Sequence, residues 1–294
     1  MSAGRRLPAE GVGWKYALHQ GRVLASFARI LLTPRDPGRG SPELPGPWIE
    51  ARLPPRPPEL VRAFVDHLGL PDDGSLPPPL SPQWCFGLTG RLLSDLPHPV
   101  ARAVNAGCRL EADGPLPRGR PLEVRGRLES VEEGERHVLV VQRFHTRAPP
   151  GPEVLRTDIR LLVPRPRRPG DASRREPAVV PEDALALAPF EVDRADALAF
   201  AKLTGDLNPL HWSRRVARRR GFADVILHGF GTMGRAWAAV AASEERPIRR
   251  WDVRFGRPVV LPSRGAVFRR GDEVFVGAAP GEPAQLVGTV GWGA

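Results

Sequence analysis

Apolar and polar residues alternate in three stretches of the first half: 121–131 (PLEVRGRLESV), 136–147 (RHVLVVQRFHTR) and 154–164 (VLRTDIRLLVP). A period of two marks half-buried strands, and the Gly, Pro and Glu residues between them mark turns. Ahead of these the period lengthens. In residues 57–71 (PPELVRAFVDHLGLP), Leu60, Phe64 and Leu68 recur at helical spacing with Pro58 near the start, which predicts a short helix. A second helix is predicted over 82–93 (PQWCFGLTGRLL). The second half repeats this order. Residues 182–205 read as a lead-in and a short helix. Residues 228–243 (HGFGTMGRAWAAVAAS) form a longer helix, with Phe230, Met233, Trp237 and Val240 on one face. The stretches 251–261, 265–270, 273–279 and 284–292 read as strands.

Helix-then-antiparallel-strands thus occurs twice. Residues 109–119 (RLEADGPLPRG) and 253–265 (VRFGRPVVLPSRG) echo one another faintly, each with an apolar strand ending in a Pro-rich turn. Between the halves lies 164–183 (PRPRRPGDASRREPAVVPED), proline-rich, charged and poor in large apolar residues, the composition of a linker. The expected organisation is an N-terminal extension (1–57), a first unit (58–165), a linker (166–185) and a second unit (186–294). Within the extension, residues 14–32 predict one amphipathic helix and 33–47 a Pro/Gly-rich loop.

Composition narrows the function classes. Only two cysteines occur, Cys85 and Cys108, which points to a reducing, cytoplasmic compartment and two small core residues. The first residues lack an apolar signal-peptide core, and no run reaches the ~20 apolar residues that span a bilayer. The net charge of +10 is carried almost entirely by arginine. It could serve an anionic partner, but the arginines are scattered, and neither a nucleic-acid motif nor an aromatic-interleaved basic stripe occurs, so solvated faces explain them.

The chemistry concentrates in residues 204–213 (TGDLNPLHWS). Asp206 and His211 are five apart and on an unbroken helix would lie ~140° from one another. Pro209 disfavours the α conformation at Asn208, so the chain turns between them and can aim a carboxylate and an imidazole into one pocket. The bland alternative is an ordinary turn with Asp206 as a cap and His211 on the surface. Some fifteen residues later an apolar run enters His228-Gly229 and the long helix. Gly229 would sit at the helix N-terminus, where unpaired N–H groups can hold a developing oxyanion. The remaining histidines, His228 included, read as structural.

Residues 200–233 (FAKLTGDLNPLHWSRRVARRRGFADVILHGFGTM) resemble the signature of MaoC-like dehydratases and (R)-specific enoyl-CoA hydratases, and WDVRFGRPVVLP resembles the strand that follows the hot-dog helix there. The resemblance is specific over 200–262, faint over 58–165 and silent over 1–57. It implies an α+β double hot-dog: two units, each with a central helix wrapped by a curved antiparallel sheet, packed so that the sheets join. The first unit would be degenerate and non-catalytic, the second catalytic. Asp206 and His211 would form the catalytic dyad, with the Gly229 N–H on the thioester oxygen. Asn208, Arg254 and Arg257 would be substrate-binding residues, Asn208 supporting the loop and the arginines meeting coenzyme A phosphates. Phe200 departs from a common tyrosine and Ser213 from a frequent acidic residue.

The expected activity is (R)-specific hydration of trans-2-enoyl-CoA, or dehydration of 3-hydroxyacyl thioesters, in fatty-acyl metabolism. Water activation at C3 and protonation at C2 are two proton transfers that a His/Asp pair can serve. The expected partner is an acyl-CoA or acyl-carrier thioester, with no nucleic acid and no membrane span, and a homodimer is the assembly considered. No metal or cofactor is expected, coenzyme A being part of the substrate. A hot-dog acyl-CoA thioesterase and a non-catalytic acyl-CoA-binding subunit are the alternatives.

Overall fold

Period-two patterning becomes strand wherever one face can be buried. In a computed structural model, which describes residues 9–32, 40, 42–165 and 176–293, the first half contributes β1 (Ile49–Leu53), β2 (Val104–Ala112), β3 (Leu122–Glu133), β4 (His137–Arg147) and β5 (Glu153–Pro164). The second half contributes β6 (Leu185–Val192), β7 (Ile248–Phe255), β8 (Ser263–Arg270), β9 (Glu273–Gly277) and β10 (Leu286–Trp292). All ten lie in one antiparallel sheet, in the order β1-β3-β4-β5-β2-β7-β10-β9-β8-β6. The helices are α1 (Gly21–Leu32), α2 (Pro58–Leu68), α3 (Ser81–Leu93), α4 (Arg194–Thr204), α5 (Arg214–Arg219) and α6 (Gly229–Ala242). α3 packs against β1, β3, β4 and β5, and α6 against β2 and β6–β9. This is the expected double hot-dog.

The halves meet along β2 and β7, where Cys108 pairs with Val253 and Leu110 with Trp251. Side chains reinforce this seam: Arg160 of β5 reaches over β2 to hold Asp252 of β7 at 2.7 and 3.0 Å. Backbones approach closely there, since a Cβ on Gly107 would lie 2.3 Å from the Val253 carbonyl oxygen. One face of each strand feeds the core: Leu122, Val124, Val140, Phe144, Ile159, Trp251 and Val253 are buried. The opposite face of the first half is a lattice of ion pairs, including Arg143–Asp158, Arg127–Glu129 and Arg147–Glu123. These arginines of the first half therefore sit on an acid-paired sheet face.

Several elements depart from the expectations. The expected N-terminal extension supplies β1, an edge strand paired to β3, which is too short for alternation to show. Residues 14–32 are not one helix: a 3-10 turn, Trp14–Gln20, runs into α1. Residues 185–192 form β6, whose Pro189 and weak alternation hide a strand at the sheet's other edge. The helix α6 is buried on more than the one expected face, because the sheet covers one side and α2 the other. Gly231, Gly234 and Ala236 are buried as well, and a Cβ on Gly234 would lie 2.6 Å from Leu68.

Of the expected linker, residues 166–175 lie outside the described residues, as do 1–8, 33–39 and 41 of the expected extension. The linker's end is tied down: Val180 is buried, its N–H donates to Glu282 O at 2.9 Å, and its carbonyl accepts from Gly281. Cys85 in α3 and Cys108 in β2 are free and buried, and burial pushes both thiols up. Among the described residues, no helix is long and apolar enough to cross a membrane.

Candidate active site

The site is built from the C-terminal end of α4 onward. Asp193 caps α4 in a reciprocal box with Asp196, and the Asp196 carboxylate also takes a 2.6 Å bond from buried Arg235 of α6. At the other end the chain leaves the helix through Gly205, whose φ of +80° favours glycine. Asp206 follows at once and is buried. The Asn208 side chain accepts from the Leu210 N–H at 3.1 Å, and Pro209 opens a 3-10 turn, Pro209–His211, that carries His211. The predicted turn thus exists, and Asn208 acts within it as a cap.

His211 is oriented from outside the loop. Its Nδ1 lies 2.8 Å from Ile226 O. A carbonyl only accepts, so Nδ1 carries the proton and Nε2 of the neutral ring keeps its lone pair. Ile226 is itself fixed, because its neighbours bond Val259 O (from Leu227 N, 2.9 Å) and receive from Leu261 N (at Val225 O, 3.0 Å). The apolar run before His228 is therefore a short extended segment laid against 259–261.

His228 enters where the sequence reading left it structural. It is buried, its ring stacks on His211 with centroids 3.5 Å apart and planes 25° apart, and its Nε2 donates to Asp206 O at 2.9 Å. Its Nδ1 has no partner among the described residues. Nitrogens of His211 and His228 and a carboxylate oxygen of Asp206 lie within 4.8 Å of one another. Sequence could have flagged His228 only through its place before Gly229 at the start of α6, since the contacts with 206 and 211 are tertiary.

Burial pushes the Asp206 carboxyl above its ordinary range, opposed by His211 and by the Asn208 N–H. Burial also holds His228 well below the ordinary imidazole range, and His211 lowers it further, against the pull of the Asp206 carbonyl bond. His228 is therefore neutral. The trio has donors suited to a transition metal but not the convergence. Two imidazole planes this close to parallel cannot both point their lone pairs at one ion ~2.1 Å away, and one nitrogen of each ring is already engaged by a carbonyl.

Gly229 opens α6, where the first N–H groups have no intrahelical partner. Its lack of a side chain is required by packing, because a Cβ would lie 2.6 Å from the Phe255 ring. Beside the loop is a narrow cleft to which both halves contribute: Phe64, Gln83 and Phe86 from the first, Phe200, Asp206 and Phe230 from the second. His211 and Gly229 are not among its lining. Arg254 and Arg257 are exposed. Arg254 projects from the face of β7 opposite Val253 and Phe255, and Arg257 follows the strand, so neither joins the dyad.

Comparison with known proteins agrees with this architecture. The family model described as a MaoC like domain matches residues 177–269. The chain is 26% identical over 180 residues to 3-hydroxyacyl-thioester dehydratase X of Mycobacterium tuberculosis, an alignment covering 59% of this chain and 61% of that protein. The match thus spans less than two thirds of that relative. The crystal structure of HtdX of Mycobacterium tuberculosis superposes with a TM-score of 0.69 at 22% identity, covering 83% of this chain and 99% of that one. A second Mycobacterium tuberculosis protein, described as having a double hotdog fold, superposes with a TM-score of 0.54 at 13% identity over 87% of this chain and 98% of that one. Residues 177–269, which match the MaoC like domain model, thus lie in the second half of a double hot-dog fold.

Proposed function

We propose that the chain is a hydratase/dehydratase of 2-enoyl and 3-hydroxyacyl thioesters, working with the (R) hydroxy enantiomer. One observation carries the reading: the Asn208-Pro209 turn sets a buried carboxylate and an imidazole with a free Nε2 beside an apolar cleft. The dehydratase named among its relatives supports the substrate class.

In this reading the acyl chain enters the cleft and water stands between Asp206 and His211. The water oxygen bonds C3, one water proton passes to the dyad, and a dyad proton goes to C2, so the dyad is restored. Enolate charge on the thioester oxygen meets the Gly229 N–H. His211 Nε2 is the lone pair suited to take the water proton. Residues 58–165 act as the non-catalytic unit that walls the cleft, 166–185 as the linker and 186–294 as the catalytic unit. Arg254 and Arg257 are proposed to meet coenzyme A phosphates, with Asn208 holding the loop. No cofactor is required, and the compartment proposed is the cytoplasm.

The test is loss of enoyl absorbance on incubation with crotonyl-CoA, run with and without a chelator. Hydration unaffected by the chelator is expected. Release of free thiol without hydration would favour a thioesterase, and no reaction at all a binding role.

A further inference from the structure

Gln83 stands on α3, in the half of the molecule that carries no dyad, yet it walls the same cleft as Asp206. It is 3% exposed. Its amide is oriented by a relay that begins on α4. Gln20 Nε2 donates to Leu203 O at 2.8 Å and lies 3.4 Å from Tyr16 O. Both partners are carbonyls, which only accept, so the amide end of Gln20 facing them must be its NH2. Gln20 Oε1 then faces Gln83 and accepts from Gln83 Nε2. This leaves Gln83 Oε1, which is buried and has no partner among the described residues.

The remaining lining offers no other free polar atom besides the Asp206 carboxylate. Thr204 Oγ1 donates to Phe200 O at 2.8 Å, and the other residues are Phe, Pro and Leu. A buried acceptor left unsatisfied is costly, so this oxygen calls for a donor brought by the ligand. A water molecule held for addition has two O–H groups, and the dyad takes only one of them.

We infer that Gln83 Oε1 accepts the second O–H of the reacting oxygen: of the water before addition, and of the 3-hydroxyl after it. Resting on the hydratase reading above, this makes the dyad-free half a contributor to the reaction centre. In hydration the O–C3 bond forms while one water proton leaves for the dyad and C2 receives one from it; the O–H held by Gln83 stays intact throughout. Gln20 is then a positioning residue that keeps the Gln83 oxygen turned to the cleft.

The test compares Gln83→Leu with the wild type in both directions, on crotonyl-CoA and on 3-hydroxybutyryl-CoA. The enoyl substrate brings no donor of its own, so its KM should stay unchanged while kcat for hydration falls about tenfold, the worth of one hydrogen bond. The hydroxyacyl substrate loses a contact made in ground and transition states alike, so its KM should rise about tenfold at unchanged kcat. The two changes reduce kcat/KM equally, as a fixed equilibrium demands. Unchanged kinetics in both directions would overturn the inference, and so would a parallel rise of both KM values, which would place the amide on another part of the substrate. Gln83→Met, unbranched and close in length, gives the same comparison if the leucine variant does not fold. A wild type inactive on both substrates would instead refute the hydratase reading.

Discussion

His228 lies flat against His211, ring on ring at 3.5 Å, while its Nε2 bonds the carbonyl of Asp206. One side chain thus backs the imidazole of the proposed dyad and fixes the backbone of its carboxylate. The arrangement requires a neutral ring, because a positive charge on His228 would be poorly solvated in this buried site and is disfavoured further by His211.

Neutrality of His228 makes stability depend on pH. Its folded pKa is held well below 6.5 by burial, while in the unfolded chain it titrates at the ordinary value. Below about 6.5 the unfolded state binds the proton and the folded state resists it, so stability present above that pH is lost as pH falls. Urea unfolding at pH 7.5 and 5 should show a weaker fold at pH 5. The loss should be smaller in His228→Phe, which keeps a stacking ring and removes the titration. An equal loss in both proteins would show that the acid sensitivity comes from elsewhere.

Asp206→Asn and His211→Gln should each reduce crotonyl-CoA hydration by roughly 10²–10⁴-fold, the range for a lost proton-transfer group. The double variant should be little worse than the worse single one, since both groups hold one water. The stability of the two should differ. Burial raises the Asp206 pKa, so above about 3.8 the unfolded chain gives up this proton before the folded one does, and stability falls as pH rises until the folded carboxyl has ionised as well. Asp206→Asn should therefore melt at or above the wild-type temperature at neutral pH. Near-normal turnover in either variant would remove the catalytic assignment.

Gly229 is held by packing as well as by its proposed role. In Gly229→Ala the new methyl meets the Phe255 ring before it can meet any substrate. Overpacking of this kind costs about 1–3 kcal/mol. The melting temperature should drop, and Phe255→Leu in the same chain should recover part of it. Activity that returns together with stability would mean that the backbone N–H survives the substitution. Activity that stays lost would mean that the approach to it is blocked.

Arg257→Glu and Arg254→Glu should raise KM for a coenzyme A thioester more than they lower kcat, because phosphate contacts are alike in ground and transition states. The effect should shrink with added salt. Arg257 should respond more than Arg254, which leaves β7 on the outer face beside Asp252. Unchanged KM values at low salt would reject both.

Much of this site was legible in the chain. Asn208-Pro209 is a local instruction that turns the chain between Asp206 and His211, and Ile226 and His228 complete the orientation of the two. The strands β3, β4 and β5 were legible because one face is buried and the other paired in ion pairs, so alternation survives along their length. The strands β1 and β6 were not, because edge strands bear weaker patterning and Pro189 is tolerated there. His228, Gln20 and Gln83 were hidden for another reason. Each acts through a contact far along the chain, such as Gln20 to Leu203, that no periodicity or spacing encodes.

The seam between β2 and β7 has a bearing on dilution. A sheet assembled from two separate chains along such an edge comes apart as concentration falls. Here both edges belong to one chain, and tethering of this kind holds partners at an effective concentration on the order of millimolar. Continuity of the ten-stranded sheet, and of the cleft to which both halves contribute, is therefore independent of how much protein is present.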